Sequence, residues 1–292
     1  MIYDVRHVTT YTYGAPIISS RCTLRLMPRS GPGQEVLACD LTITPHPAHI
    51  AHATCFFGNT LSAVTIETPH KTLSFDARFR ITVDRPEPPM PSLCQSWEDL
   101  REEAFASRDL GPASPAQFLF PSRLVPLVDS VTRYAKESFY QGRPALEGAV
   151  ELMGRIRADF AYDPKATQVS TPLAKAFAQR RGVCQDFAHI MIAGLRGLGL
   201  PASYVSGYLR TIPPAGKPRL EGADATHAWV QLWCGGGLGA VGLDPTNDMM
   251  IGDDHIILAH GRDYADISPV DGIIIGSREQ DVDVKVDVVP VG

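Results

Sequence analysis

An unbroken alternation of apolar and polar residues runs from residue 73 to residue 83, LSFDARFRITV. Side chains on a β-strand point to opposite faces in turn, so this pattern predicts a strand with one buried and one exposed face. Shorter alternating runs, separated by clusters such as SGPG and FGNT, lie around residues 3–13, 23–27, 37–44 and 61–67. The sequence therefore predicts an N-terminal antiparallel β-sandwich over residues 1–85.

Four prolines lie in the segment RPEPPMPS at residues 85–92. Because proline cannot donate to a strand ladder, residues 86–96 are predicted as an extended linker. Beyond it, apolar residues recur at three- and four-residue spacing in WEDLREEAF, VPLVDSVTRYAKESF and ALEGAVELMGRIRADF, which predicts helices. Strand-like runs then return, among them SYVSGYL, THAWVQLW and VDVKVDVVPV. The sequence thus predicts a second, α+β domain over residues 97–292.

Composition narrows the classes of function. The 292-residue chain carries a formal net charge of −5, which gives no support for general attraction to nucleic acid or to an anionic membrane. The N-terminus lacks the basic start and apolar stretch of a secretory signal, and no segment reaches about 18 uncharged apolar residues. We therefore expect a cytoplasmic protein. The six cysteines are widely spread, which predicts that most are reduced and inert.

The segment RRGVCQDFAHIMIAGLRGLGLPA places Cys184 in the first turn of a mostly buried helix that ends near Gly199. The free N–H groups and the positive end of the helix dipole favour a thiolate there, and the N–H of Cys184 is a natural oxyanion donor. Taken alone, the segment fits a small core cysteine near a helix start equally well.

The segment THAWVQLWCGGGLGAVGLDPT predicts two strands joined by a glycine-rich loop at residues 234–237. In that register His227 and Asp244 are cross-strand neighbours on one face, although a bulge among the glycines would separate them. A cysteine nucleophile, a histidine that carries a proton and a carboxylate that orients the histidine are the parts of nucleophilic acyl transfer. Cys184, His227 and Asp244 are therefore the predicted catalytic residues.

Three further residues are predicted to line the substrate pocket or to support the catalytic residues: Gln185, Asp186 and Trp229. Trp229 shares a strand face with His227, but a tryptophan in such a strand more often packs in the core. A purely structural role is also open for two of the predicted catalytic residues. His227 fits a hydrogen-bonded histidine within the sheet, and Asp244 fits the first residue of a turn.

The segment HPAHIAHATC carries residue types that zinc accepts, at His46, His49, His52 and Cys55. Their spacing drifts around a helix and alternates across a strand, so the four side chains do not converge without a special loop. We predict a partly exposed strand connection here and no metal site.

Three segments in order, GVCQDFAH, THAWVQLW and GLDPTND, resemble the successive motifs of the transglutaminase-like superfamily. The opening DVRHVTTYTYGAPI resembles the β-domain that precedes this core in bacterial members, and GRDYADISPVDGIIIG resembles their usual continuation. The resemblance implies a papain-like core with an antiparallel sheet, and it implies Cys184, His227 and Asp244 as nucleophile, histidine and aspartate. Members include cross-linking enzymes, peptidases, amidases and inactive relatives.

We therefore predict a cysteine-dependent acyl-transfer enzyme that acts on a peptide or amide-bearing substrate through a thioester. Hydrolysis, as by a peptidase or amidase, is the favoured reaction. The alternatives are a protein-glutamine transamidase and a noncatalytic binding scaffold that retains the papain-like core. No cofactor is expected, and the sequence contains no EF-hand calcium loop. The oligomeric state is left open.

Overall fold

The computed structural model describes residues 1–211, 225–277 and 279–291. The first part of the chain forms the strands β1 (Ile2–Ile17), β2 (Ser19–Leu24), β3 (Gln34–Thr44), β4 (His49–Thr54), β5 (Thr60–Ile66) and β6 (His70–Val83). The middle part contains α1 (Trp97–Ala106), α2 (Asp129–Lys136), α3 (Ala145–Asp159), β7 (Ala161–Tyr162), α4 (Leu173–Gln179), β8 (Arg181–Gly182) and α5 (Cys184–Gly197). The last part contains β9 (Ala202–Leu209), β10 (Ala225–Trp233), α6 (Gly235–Leu238), β11 (Ala240–Asp244), β12 (Met249–Met250), β13 (His255–Gly261), α7 (Tyr264–Ile267), β14 (Val270–Ile275) and β15 (Gln280–Pro290).

Two four-stranded antiparallel sheets form the N-terminal sandwich, with strand orders β15-β1-β6-β3 and β14-β2-β5-β4. Alternate residues of β6 are buried, as the sequence pattern predicts. Tyr13 and Phe75 from the first sheet meet Leu24 and Ile66 from the second in one apolar core. The predicted β-sandwich is therefore confirmed.

The last two strands of the chain complete this sandwich. β15 pairs with β1 from Tyr3↔Pro290 to Tyr13↔Gln280, and β14 pairs with β2. The predicted second domain, residues 97–292, is therefore wrong at its C-terminal end. Alternation along a strand indicates that one face is buried but does not identify the sheet that the strand joins.

The histidine-rich segment also differs from its prediction as a connection. β4 covers His49 and His52 and forms the edge of its sheet beside β5, with all six of its residues exposed. The Nδ1 atom of His52 lies 3.0 Å from the hydroxyl of Ser62 on β5. An edge strand with no apolar periodicity gives a weak sequence signal, because its exposed residues need no apolar pattern on either face.

The α+β core is built on a third antiparallel sheet, in the order β12-β11-β10-β9-β13. Helix α5 packs against β9 and β10, and α2, α3 and α4 pack against α5, so the helix that begins at Cys184 lies in the middle of the main apolar core. Its residues from Phe187 to Leu195 are all buried. Within the described part of the chain, no helix is long and apolar enough to cross a membrane.

The sandwich and the core sheet share a third apolar cluster. Tyr3 and Phe79 of the sandwich pack there against Tyr208 of β9 and Ile256 of β13. The two parts of the chain are thus joined by a packed interface, and the turn that precedes β13 lies at its edge.

Candidate active site

Cys184 is the first residue of α5, as predicted, and Asp186 organises this helix start. The carboxylate of Asp186 accepts hydrogen bonds from the N–H of Val183 at 2.9 Å and from the hydroxyl of Thr167 at 2.6 Å. A Cβ atom on Gly182 would lie 2.5 Å from this carboxylate, so glycine leaves the space that the cap needs. Asp186 therefore fixes the direction in which Cys184 enters the helix.

Gln185 is half-buried beside Cys184, and the described residues offer its side chain no hydrogen bond. Burial raises the pKa of Asp186, although its hydrogen bonds from Thr167 and Val183 oppose the rise. Of the two predicted neighbours, only Asp186 has a defined structural role in the described contacts.

His227 and Asp244 contact each other, but through a register that differs from the prediction. The observed pairs run from Val230↔Leu243 to Trp233↔Ala240, so continuing them would set Trp229, not His227, opposite Asp244. The glycine run forms the short helix α6 instead of a tight loop, with positive φ at Gly235 and Gly239. Because the shift is two residues, both side chains stay on one face. The Nε2 atom of His227 lies 2.7 Å from Oδ2 of Asp244.

The carboxylate of Asp244 is fully buried and surrounded by donors. The side-chain amide of Asn247 donates to Oδ2 at 2.7 Å, and Nε2 of His255 lies 3.2 Å from the same oxygen. The other oxygen accepts the backbone N–H of Thr246 at 2.9 Å. Burial raises the pKa of Asp244, but the hydrogen bonds from His227 and His255 outweigh it and hold the pKa well below its usual range.

The surroundings of His227 favour the protonated form of its imidazole. Burial lowers its pKa, but hydrogen bonds to Asp244 and to Cys184, together with the charges of both partners, raise it to about 10. Since Nε2 is engaged by Asp244, Nδ1 is the ring nitrogen left to face Cys184. The arrangement thus places a histidine between a buried carboxylate and the cysteine at a helix N-terminus.

Trp229 is fully buried behind the two histidines. Its ring centroid lies 6.1 Å from that of His227 and 5.3 Å from that of His255. Trp229 therefore takes the core position that the sequence pattern left open.

A cleft of about 320 Å³ opens in front of His227, with walls that include Arg157, Tyr162, Phe187 and Asn247. Tyr162 is 55% exposed, and burial and the charge of Cys184 raise its pKa. A larger depression of about 660 Å³ lies on the outer face of the sandwich, where its charged walls include Arg6 and Arg80. We place the site in the smaller cleft because His227, which contacts Asp244, lies in its wall.

Sequence reasoning missed three of these residues. Asn247 lies inside the motif GLDPTND, so its proximity to Asp244 could have been inferred from the turn chemistry of that segment. Tyr162 reaches the cleft because β7 pairs with β8 immediately before Cys184. His255 follows Asp244 by eleven residues on another strand, and no local pattern indicates their contact.

Within the described chain, His227, Asp244 and His255 form the one group whose ligand atoms could hold a metal, with these atoms within 4.8 Å of one another. Both histidine nitrogens already lie at hydrogen-bond distance from a single carboxylate oxygen, 2.7 and 3.2 Å away. In a metal centre these histidine nitrogens would have to direct lone pairs at the metal instead of sharing protons with the carboxylate. The three residues therefore fit a hydrogen-bonded cluster better than a metal centre.

Comparison with known proteins gives the family. The family model described as the bacterial transglutaminase-like N-terminal region matches residues 3–82, and the model of the transglutaminase-like superfamily matches residues 132–243. The chain belongs to the transglutaminase-like superfamily. This confirms the resemblance inferred from the motifs and places the chain in a family of cysteine-dependent enzymes.

Similar proteins span most of the chain. An uncharacterized protein of Mycobacterium bovis is 41% identical over 298 residues, which cover 99% of this chain and 92% of that protein. An uncharacterized protein of Mycobacterium leprae is 32% identical over 286 residues, 97% of each chain. A protein-glutamine gamma-glutamyltransferase of Pseudomonas aeruginosa is 32% identical over 90 residues, 28% of this chain and 14% of that protein.

A solved structure from Cytophaga hutchinsonii, described as a candidate cysteine protease, superposes with a TM-score of 0.74. It is 20% identical in sequence, and the match covers 100% of this chain and 92% of that one. The likeness shows that the sandwich and the core occur together in the same fold.

Proposed function

We propose that this protein is a cysteine-dependent amidase or peptidase, with Cys184 as nucleophile, His227 as proton carrier and Asp244 as the residue that orients His227. One observation carries the proposal: Nε2 of His227 lies 2.7 Å from the buried carboxylate of Asp244. Against the effect of burial, hydrogen bonds to Asp244 and Cys184 raise the pKa of His227 to about 10. A preformed imidazolium beside a sulfur nucleophile is the arrangement that attack on an amide carbonyl requires.

In the first half-reaction the Cys184 sulfur attacks the carbonyl carbon of the substrate amide. The carbonyl oxygen becomes an oxyanion, and the backbone N–H of Cys184 is available to stabilise it, since the first N–H groups of a helix have no intrahelical acceptor. His227 gives its proton to the amide nitrogen as the C–N bond breaks. The products are a free amine and a thioester on Cys184.

In the second half-reaction His227 is neutral and accepts a proton from water while the water oxygen attacks the thioester carbon. The C–S bond breaks, a carboxylic acid leaves, and the thiolate–imidazolium pair is restored. Asp244 stays ionised throughout, because its donors hold its pKa well below its usual range.

The charge of the cleft favours water over a lysine side chain as the acyl acceptor. The described residues that line the cleft include no acidic side chain, whereas Arg157 is an exposed cation at its wall. A lysine ammonium that approaches the thioester would meet the cation Arg157, and the described lining residues offer no carboxylate to attract it. Water meets no such electrostatic repulsion, and the exposed Tyr162 marks an open rim.

The test is a competition between the two acceptors. A mixed set of peptides and protein amides is incubated with the full chain in H₂¹⁸O that also contains a biotinylated primary amine, and products are identified by mass spectrometry. We expect ¹⁸O-labelled carboxylic acids to exceed amine adducts, and we expect Cys184→Ala to form neither product.

Asp248→Asn is the matched control, because it changes an exposed carboxylate in the turn that follows Asp244. It should leave both yields unchanged. Amine adducts in excess over ¹⁸O products would overturn hydrolysis in favour of transamidation. The absence of both products over the whole peptide set would favour the noncatalytic scaffold.

A further inference from the structure

A second histidine lies against the carboxylate of Asp244. His255 begins β13 and is fully buried, with its Nε2 atom 3.2 Å from Oδ2 of Asp244. Its other nitrogen, Nδ1, accepts the backbone N–H of Gly252 at 3.4 Å. Because Nδ1 accepts, the ring proton is on Nε2, and His255 donates it to Asp244.

The backbone of this histidine is held by a residue at the junction of the sandwich and the linker. The guanidinium of Arg85 donates to the carbonyl oxygens of His255 at 2.5 Å and of Gly252 at 3.1 Å. The backbone N–H of Arg85 donates to the carboxylate of Asp253 at 3.0 Å. Arg85 therefore binds both ends of the turn that carries His255 into the core.

A sandwich strand holds the next residues of β13. The side-chain amide of Gln34 on β3 accepts the N–H of Ile257 at 2.8 Å and donates to the carbonyl of Ile257 at 2.7 Å. Gln34 is itself buried, so this pair of hydrogen bonds is shielded from water. The start of β13 is thus bound from the sandwich side at two successive points.

We propose that His255 is a positioning residue for the reaction proposed above, and that the N-terminal sandwich holds it against Asp244 through Arg85 and Gln34. The inference rests on the proposed function, because it concerns the orientation of the same Asp244 and His227. It gives the sandwich a defined role, since the contacts from Arg85 and Gln34 reach the imidazole of His227 through His255 and Asp244.

The physical reason is the rotation of a carboxylate. An aspartate that contacts only His227 could turn about its side-chain bonds and present either oxygen. His255 and the Asn247 amide donate to the same Oδ2 atom that His227 contacts, so this oxygen stays directed at the His227 ring. The N–H of Thr246 still holds Oδ1 when His255 is lost, so the expected effect is a looser orientation of Oδ2 and a weaker hold on the imidazolium.

The test uses the reactivity of Cys184, so it needs no substrate. The full chain and its variants are treated with iodoacetamide at pH 6, and the labelling rate of Cys184 is followed by mass spectrometry. We expect His255→Met, which keeps length and burial but donates no hydrogen bond, to lower the rate about tenfold or more. We expect His255→Gln, whose amide N–H can reach Asp244, to restore it to within about threefold of the unaltered protein.

Two further variants separate positioning from general destabilisation. Arg85→Ala loosens the turn but keeps the imidazole, and it should lower the labelling rate by a smaller factor than His255→Met. Tyr3→Phe removes the hydrogen bond from the Tyr3 hydroxyl to Asp254, 2.9 Å long, at the same interface but away from Asp244. It should leave the rate unchanged, and melting curves show whether each variant is folded.

Equal labelling rates in the unaltered protein and a folded His255→Met variant would overturn the inference, as would equal rates in His255→Met and His255→Gln. If His255→Met does not fold, an unchanged rate in Arg85→Ala would overturn it instead. Unselective labelling of the unaltered protein would be a different result, because it would contradict the proposed function itself.

Discussion

Replacing Asp244 with asparagine should destabilise the protein in a way that depends on pH. The neighbouring charges and hydrogen bonds raise the pKa of His227 from 6.5 to about 10 against the effect of burial. A rise of this size corresponds to about 5 kcal/mol of preference for the protonated ring. Asparagine carries no charge, so the buried imidazole should lose the part of this preference that Asp244 supplies, while Cys184 still favours the protonated ring.

The pH window follows from the direction of the rise. Because the pKa of His227 is higher in the folded state, its contribution to stability is complete below about pH 6.5 and is lost as the pH rises through about 10. The difference in unfolding free energy between the unaltered protein and Asp244→Asn that comes from His227 should therefore be at most about 4 to 5 kcal/mol at pH 6, at most about 3 at pH 8 and under about 1 at pH 10.

Urea unfolding at these three pH values measures the difference, and NMR of the histidine rings follows the protonation of His227 directly. Asp248→Asn is the control: this residue is exposed and has a φ of 55°, a conformation that asparagine tolerates, so its effect should stay within about 0.5 kcal/mol at every pH. A difference for Asp244→Asn that is the same at pH 6 and pH 10 would refute this reasoning, as would titration of His227 near pH 6.5 in both proteins.

Four substitutions at three residues test the local structure, each by urea unfolding at pH 7. Gly207→Ala should lower the unfolding free energy by about 2 to 4 kcal/mol, since a Cβ there would lie 2.0 Å from the carbonyl oxygen of Ile256. A variant as stable as the unaltered protein would contradict the packing of β9 against β13. Asp186→Ala should lower the unfolding free energy by about 1 to 2 kcal/mol. Asp186→Asn should lower it by less than half as much, because asparagine can still accept the N–H of Val183. Equal decreases in the two variants would argue against the cap. Arg196→Met should lower the unfolding free energy by about 3 to 5 kcal/mol, because the buried guanidinium donates to four acceptors that methionine would leave unpaired. A decrease under about 1 kcal/mol would be inconsistent with that network.

The parts of the fold that sequence predicted are those set by local patterning. Alternation identified the sandwich strands, and three- and four-residue spacing identified α1, α2 and α3. The sequence predicts Cys184 at a helix start because apolar residues from Val183 to Leu195 fall at helical spacing and Gly199 and Pro201 mark the helix end. None of these inferences needs to know what another segment does.

The parts that sequence missed depend on long-range pairing. The alternating valines of β15 predict a half-buried strand, but only the tertiary fold shows that they complete the sandwich beside β1. The contact between His227 and Asp244 was predicted from a register that was two residues off, and it was correct because an even shift preserves the face. His255 gave no signal at all, because its contact with Asp244 joins two strands at opposite sides of β10 and β9 in the sheet.

The most direct test of the central claim is the selectivity of Cys184 labelling by iodoacetamide at pH 6, compared between the unaltered protein and His227→Ala. An ordinary thiol is under about 1% ionised at this pH. Burial raises the pKa of Cys22 and of Cys39 to about 11, so these two residues serve as internal controls that should stay unlabelled. We predict selective labelling of Cys184 that slows at least about tenfold in His227→Ala. Labelling of Cys184 that is as slow as that of the control cysteines, or is unchanged by the loss of His227, would contradict the thiolate–imidazolium pair on which the proposed enzyme depends.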